Sequence, residues 1–271
     1  MISITDENDP RILRFRSLKD RPSQTSSPIC IAEGVKTVRA AIESDQKIVS
    51  IFVEPSYLES HPDLFLRARC SPENILTATR EFMTKIVGFE MHQGIMAAVE
   101  APRGIDESEI TFPCLVLNGI ADSENVGALM RVACAFGWHS IVIDQATVSP
   151  LVRRAVRVSM GTVFSLRIHR STDIPSLLMQ LRHQSDAHII AAEITPNSLP
   201  LSSICFEDRT ILVIGSEGHG IHNDILKVCD RIVHIPMHPS VPSLNVATAA
   251  SVFCYAHSLQ RTPNSTSRDV P

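Results

Sequence analysis

ILVIGSEGHGIHNDIL, residues 211–226, passes from four apolar residues into a turn carrying Gly215, Gly218 and Gly220 together with Glu217. A run of apolar, mostly β-branched residues suits a strand buried on both faces, as in parallel sheets. The glycine spacing is Gly-x-x-Gly-x-Gly rather than the Gly-x-Gly-x-x-Gly of nicotinamide-binding folds, so a dinucleotide site of that type is disfavoured. Glycines at a strand end leave bare backbone that can hydrogen-bond an adenine edge or a ribose, and Glu217 can orient a hydroxyl or cap the helix that follows.

Outward from this turn, strand-like and helix-like stretches alternate with short connections. CLVLNG (114–119) precedes a helix from about Val126 to Phe136, HSIVIDQ (139–145) precedes PLVRRAVRVSM, and FSLRIH (164–169) precedes IPSLLMQLRHQ. HIIAAEI (188–194), the 211–226 segment with a helix through DILKVC, RIVHIP (231–236) and a last helix from Leu244 to about Leu259 complete the series. Such alternation predicts an α/β fold, a mostly parallel sheet with helices on both faces, whose ligands bind beyond the carboxyl ends of the strands.

Two further loops follow strands. In LNGIADSENVGALMRVACAFG (117–137), Asn125 and Arg131 are six residues apart. On one continuous helix they lie about 240° apart, so both face one site only if Asn125 sits in the turn or at the cap. Gly127 lets the first turn approach a ligand or another backbone, and the Arg131 guanidinium suits a phosphate. In IPMHPSVPSLNVATAASVFCY (235–255), Pro236, Pro239 and Pro242 stiffen the loop, Ser243 is placed to cap a helix, and Asn245 lies near the mouth of a site. Ala247, Ala249, Ala250 and Ser251 suit a tightly packed core or a symmetric subunit contact.

Ahead of this region, residues 28–102 read as a small α/β domain: ICIAEG, VKTVRAAIES, IVSIFVEP, a helix around LFLRARC, and GIMAAVEAP. RGIDESEITF (103–112) is a polar linker, so the second domain is expected over 113–260. Residues 1–27 read as a basic arm, or a short helix, leading into the connector RPSQTSSP, and 261–271 as a disordered tail.

The 271 residues are 44% hydrophobic, enough for a sizeable core. A net charge of −4 gives no support for nonspecific nucleic-acid coating, so any RNA site is local. Two basic patches can supply it: Arg11, Arg14, Arg16, Lys19 and Arg21, and then Arg153, Arg154 and Arg157. The seven cysteines are scattered without a Cys-x-x-Cys pair and read as reduced core residues. No signal peptide or membrane span is recognisable, so a cytoplasmic location is expected.

Together the three loops resemble the signature motifs of the SpoU (TrmH-like) class of the SPOUT superfamily of RNA methyltransferases, through Asn125, Gly127 and Arg131, then Gly215, Glu217, Gly218 and Gly220, then Pro236, Ser243, Leu244 and Asn245. VRVSMGTVF (156–164) also resembles a family segment, and IAEGVKTVRAAI and HQGIMAAV are similar to the L30e-like RNA-substrate-binding domain often fused in front. The resemblance implies a deep trefoil knot, a homodimer whose subunits both line each site, and transfer of a methyl group to a ribose 2′-hydroxyl of transfer or ribosomal RNA. It implies S-adenosylmethionine held largely by backbone at Gly215, Ile235 and Leu244, with Gly220 and Leu117 beside them. The family proposal has Arg131 activate the hydroxyl, while Asn125, Glu217, Ser243 and Asn245 orient the ribose and the loop. A guanidinium stays protonated, so phosphate anchoring and charge stabilisation are easier roles for Arg131 than general base.

Two rivals remain open. One keeps the fold as a catalytically silent RNA-binding or assembly protein. The other is a metal-dependent hydrolase using His219 with His222 or His234 with His238, but neither pair has an acidic third ligand at recognisable spacing, so no metal is expected.

Overall fold

In the computed structural model, residues 1–18, 28–91 and 93–260 are described; Lys19, Arg21, the connector and the tail from 261 lie outside them. In chain order the first region holds β1 (Ile2–Ser3), β2 (Ile29–Glu33), α1 (Val35–Glu43), β3 (Ile48–Val53), α2 (Pro55–Ser60), α3 (Pro62–Arg67), β4 (Ile75–Thr77), α4 (Arg80–Val87) and β5 (Ile95–Glu100). These strands make a mixed sheet in the order β1-β4-β3-β5-β2. The second region holds β6 (Cys114–Asn118), α5 (Ser123–Ala135), β7 (Ser140–Ile143), α6 (Arg153–Val158), β8 (Arg167–Arg170), α7 (Ile174–Ser185), β9 (His188–Ala192), β10 (Leu199–Pro200), β11 (Thr210–Gly215), α8 (Asn223–Leu226), β12 (Arg231–His234) and α9 (Val246–Gln260).

The second sheet runs β10-β12-β9-β11-β6-β7-β8, with every pairing parallel. Side chains alternate across a strand, so the buried run of β11 splits between two cores. Leu212 and Ile214 pack with Leu115, Leu117 and Ile141 under α5, α6 and α9, whereas Ile211 and Val213 pack with Cys114, Val116 and Val142 under α7 and α8. Gly127 serves the first of these layers. A Cβ there would lie 2.6 Å from the carbonyl oxygen of Ala155, so the backbone that approaches it is that of α6.

The first eighteen residues are not an arm. Ile2 pairs with Leu76 in a parallel edge strand, and Ile4, Ile12, Phe15 and Leu18 are buried against Phe52, Leu76, Met83 and Met96. Burying an apolar side chain of that size is worth about 1.5–3 kcal/mol, while the basic residues between them keep their contact with solvent. Arg11 is taken up by an ion pair with Asp9 across a short 3-10 turn, Pro10–Phe15. The sequence reading also passed over β4, β10 and α4. Helix α4 carries its own signals: Thr79 accepts from the Phe82 amide, and Gly88, at φ +82°, ends it in the left-handed conformation. Around LFLRARC two short helices stand where one was expected, because Pro62 starts a new helix.

The two sheets share one apolar core, which includes Val38, Ala41 and Ile51 of the first region with Val156, Val163 and Phe164 of the second. Residues 103–112 lie along the β8 edge: the Ile105 amide donates to the Ile168 carbonyl at 3.0 Å, and His169 Nδ1 is 2.9 Å from the Ile105 carbonyl. Arg153 and Arg157 are not a free basic patch. Both face the buried carboxylate of Glu33, and Arg154 pairs with Glu124.

Candidate active site

At the end of β11 the chain reverses from Ser216 to Gly220, closed by the Gly220 amide on the Ser216 carbonyl at 2.8 Å. Two glycines are obligatory here. A Cβ on Gly215 would sit 2.2 Å from the Gly220 carbonyl carbon, and Gly220, at φ +66°, leaves room for a Glu193 oxygen 2.4 Å from where its Cβ would be. Gly218 has open space around it. The Glu193 carboxylate accepts from the amides of Ile194 at 2.9 Å and Ile221 at 3.0 Å, fastening the turn to the end of β9. Sequence reasoning passed over Glu193; its signal was a carboxylate directly after the apolar run of a strand.

This turn delivers Glu217 to the start of α9. Its Oε1 accepts from Asn245 Nδ2 at 2.9 Å and from the Val246 amide at 3.2 Å, so Glu217 supports α9 rather than the helix that follows it in sequence. Asn245 Oδ1 accepts from the amides of Ala247 and Thr248 at 3.0 and 3.3 Å, which makes Asn245 the cap of α9, the role expected of Ser243. The second hydrogen of the Asn245 amide goes to Asn125 Oδ1 at 2.8 Å. With its oxygen on the helix and both N–H groups spent on two acceptors, this amide has one orientation that satisfies it. Asn125 Nδ2 and Glu217 Oε2 make no hydrogen bond among the described residues, which leaves each with capacity to spare.

Asn125 does not cap its own helix. Asp122 does, accepting from the Glu124 amide at 2.8 Å, and Asn125 lies within the first turn of α5. The helix is continuous from there, so Arg131 projects away from Asn125, exposed and outside the cavity described next. The positions named by sequence therefore divide: one chain brings Asn125, Glu217 and Asn245 together and leaves Arg131 apart.

Beside this junction lies a cavity of about 170 Å³ at the carboxyl ends of β9, β11 and β12. Gly215, Glu217, Gly220, Ile235, Ser243 and Leu244 line it, and Ile214, Val233 and Phe253 supply apolar wall. Leu117 does not belong to it. Its side chain is in the core, and its carbonyl accepts from the Thr147 hydroxyl at 3.2 Å. The amino end of α9 adds a positive partial charge close by, partly answered by Glu217.

The histidines of the hydrolase reading are engaged elsewhere or solvated. His222 caps α8, His234 Nδ1 meets the Ser198 hydroxyl at 2.9 Å, His238 meets Ser240 and His219 is exposed. Among the described residues no three His, Cys, Asp or Glu side chains are placed to hold a metal ion.

Residues 113–255, more than half of the chain, match the SpoU rRNA methylase family. The chain belongs to that family. Residues 31–104 match the substrate-binding domain of RNA 2′-O ribose methyltransferases, so this SpoU member is an RNA methyltransferase with a substrate-binding domain in front. Among SpoU relatives, the protein named an uncharacterized tRNA/rRNA methyltransferase in Mycobacterium tuberculosis H37Rv is 32% identical, the match covering 93% of this chain and 90% of that one. The 23S rRNA (guanosine-2′-O-)-methyltransferase RlmB of Photorhabdus laumondii is 29% identical, over 85% of this chain and 98% of its own. The fold is shared with the SpoU methyltransferase AviRb of Streptomyces viridochromogenes, solved with AdoMet, at a TM-score of 0.80 and 21% identity over 93% and 98% of the two chains. No helix of the described residues is long and apolar enough to cross a membrane.

Proposed function

We propose that this SpoU member transfers the methyl group of S-adenosylmethionine to a ribose 2′-hydroxyl of ribosomal or transfer RNA, and that Asn125, Glu217, Ser243 and Asn245 hold the ribose. The observation that carries the reading is the Asn245 amide, which ties three loops into one polar corner at the rim of the cavity. Relatives named for 23S rRNA guanosine-2′-O-methylation support ribosomal RNA, and those named for tRNA/rRNA methylation keep transfer RNA in view.

The residues fit the cofactor. Gly215 and Gly220 line the cavity with backbone, Ile235 and Leu244 border it, and Ile214, Val233 and Phe253 suit an adenine face. Glu193 and Glu217 bring carboxylates to the cavity lining, which would favour the positive charge of a sulfonium. Bound there, the cofactor supplies an electrophilic methyl group. A ribose hydroxyl is a weak acid, so the protein's task is to place it in line and ease loss of its proton. Glu217 Oε2 is placed to accept the hydroxyl hydrogen, and Asn125 Nδ2 to donate to the oxygen as its charge builds.

Arg131 acts, on this proposal, in the site of a second copy, as a phosphate anchor. A homodimer across the outer faces of α5 and α9 brings it there, and Tyr255 and Leu259 on α9, 54% and 67% exposed, supply apolar surface for the contact. The trefoil knot belongs to the same proposal, supported by the return of α9 to pack beside α5 after β12. A cytoplasmic location, with the RNA, completes it.

The experiment is transfer of labelled methyl from S-adenosylmethionine to total RNA from a host lacking the gene, followed by mapping of 2′-O-methyl ribose. Incorporation at one nucleotide is expected. Cofactor binding without incorporation into free RNA or assembled ribosomal particles would favour the silent RNA-binding rival.

A further inference from the structure

Glu33 closes β2 in the substrate-binding domain, and its side chain is 7% exposed. A buried carboxylate without a cation is expensive, and among the described residues both cations paired with it come from the other domain. Arg153, the first residue of α6, makes an ion pair with Glu33 Oε2, and Arg157, one turn on, is 3.9 Å from Oε1. The Arg153 guanidinium also lies 4.1 Å from the ring centroid of Phe89, again in the front domain. Such pairs add little net stability, but they penalise every arrangement in which the partners separate.

Further contacts hold the same joint. Gly161, at φ +83°, lets the chain pass the first domain so closely that a Cβ would be 2.6 Å from that of Ala40. Gln46 Nε2 donates to the Phe164 carbonyl at 3.4 Å, and residues 103–112 are fixed to the β8 edge instead of hanging free. The joint also connects to the candidate site. α6 meets α5 backbone to side at Gly127 and Ala155, two residues from Asn125, which is bonded to Asn245.

We infer that Glu33 and Arg153 are positioning residues that hold the substrate-binding domain in fixed register with the methyl-transfer site, so that the enzyme selects its nucleotide by spacing. The inference rests on the reading of the chain as an RNA methyltransferase. RNA gripped by the front domain presents one ribose to Asn125, and a loosened joint presents several.

The test uses the full chain with Glu33→Gln and Arg153→Met, and Arg153→Lys as the gentler change should either fail to fold. Four readouts are taken: cofactor affinity, RNA kcat/KM, the methylation map on total RNA from a host lacking the gene, and melting by calorimetry. The wild type is expected to melt in one transition and modify one nucleotide. The variants should melt in two, spread methyl over neighbouring nucleotides, and lose on the order of tenfold in RNA kcat/KM, with cofactor affinity unchanged. A merely structural role would not move the position of the methyl group. Variants that keep one melting transition and one modified nucleotide overturn the inference. If the wild type modifies no RNA, the proposed reaction fails separately, and melting decides the joint: two transitions in the variants alone support it, and one transition throughout overturns it.

Discussion

Asn245 Nδ2 lies 2.8 Å from Asn125 Oδ1, across 120 residues of chain, and the same nitrogen reaches Glu217 Oε1. Replacing Asn245 by Ala removes the α9 cap, at about 1 kcal/mol, and both amide donors. Asn245→Ser keeps an oxygen able to cap. Methyl transfer should fall on the order of 100-fold in both, as when one positioned donor is lost from an active site, while thermal stability falls clearly in the Ala variant alone. Single-turnover rates beside melting curves separate the two effects.

Arg131→Ala should abolish transfer without disturbing cofactor affinity. Co-expressed with Asn245→Ala, it should regain about a quarter of wild-type activity, because random pairing makes half of the dimers mixed and each mixed dimer has one intact site. A mixture as inactive as its parents would place Arg131 in its own subunit's chemistry or outside it.

Gly215→Ala and Gly218→Ala should behave oppositely. The first drives a methyl group into the Gly220 carbonyl, so cofactor affinity measured by calorimetry should be lost. The second meets nothing within 4 Å and should leave stability within about 0.5 kcal/mol of wild type.

Deleting residues 2–18 should unfold the front domain rather than merely weaken RNA binding. It uncovers Phe52, Met83 and Met96 and removes four buried apolar side chains, several kcal/mol in a domain whose whole stability is of order 5–15 kcal/mol. Loss of amide protection in β3 and β4 by hydrogen exchange is the measurement.

Burial pushes the thiols of Cys30, Cys114 and Cys254 up to about 12, so at pH 8 each remains protonated and unreactive. Cys205, read from sequence as a core residue, is exposed. Iodoacetamide at pH 8 should label Cys205 in the native protein, with Cys30, Cys114 and Cys254 following only in denaturant.

The parallel sheet was legible because its central strands are long and apolar enough to announce burial on both faces: CLVLN and TILVIG stand side by side in the structure. β1 and β4 have two and three residues, too short for a period to register, and the basic residues after β1 masked Ile12 and Phe15. The helical angle between Asn125 and Arg131 follows from their spacing alone; it left a shared site open only with Asn125 in the turn or at the cap, and Asn125 lies inside the helix that Asp122 caps. No spacing reveals which acceptors Asn245 chooses, since Asn125 and Glu217 reach it through long-range packing. Arg153 shows the same limit: a cationic triplet looks solvated until the sheet that holds Glu33 is in place.

The pairing of Ile2 with Leu76 sets a timetable for synthesis. Ile2 leaves the ribosome ahead of its partner strand, which emerges only after some seventy further residues, several seconds later at ordinary elongation rates. Through that interval Ile4, Ile12 and Phe15 have no core to enter, so the stretch that carries them is a segment for chaperones to shield.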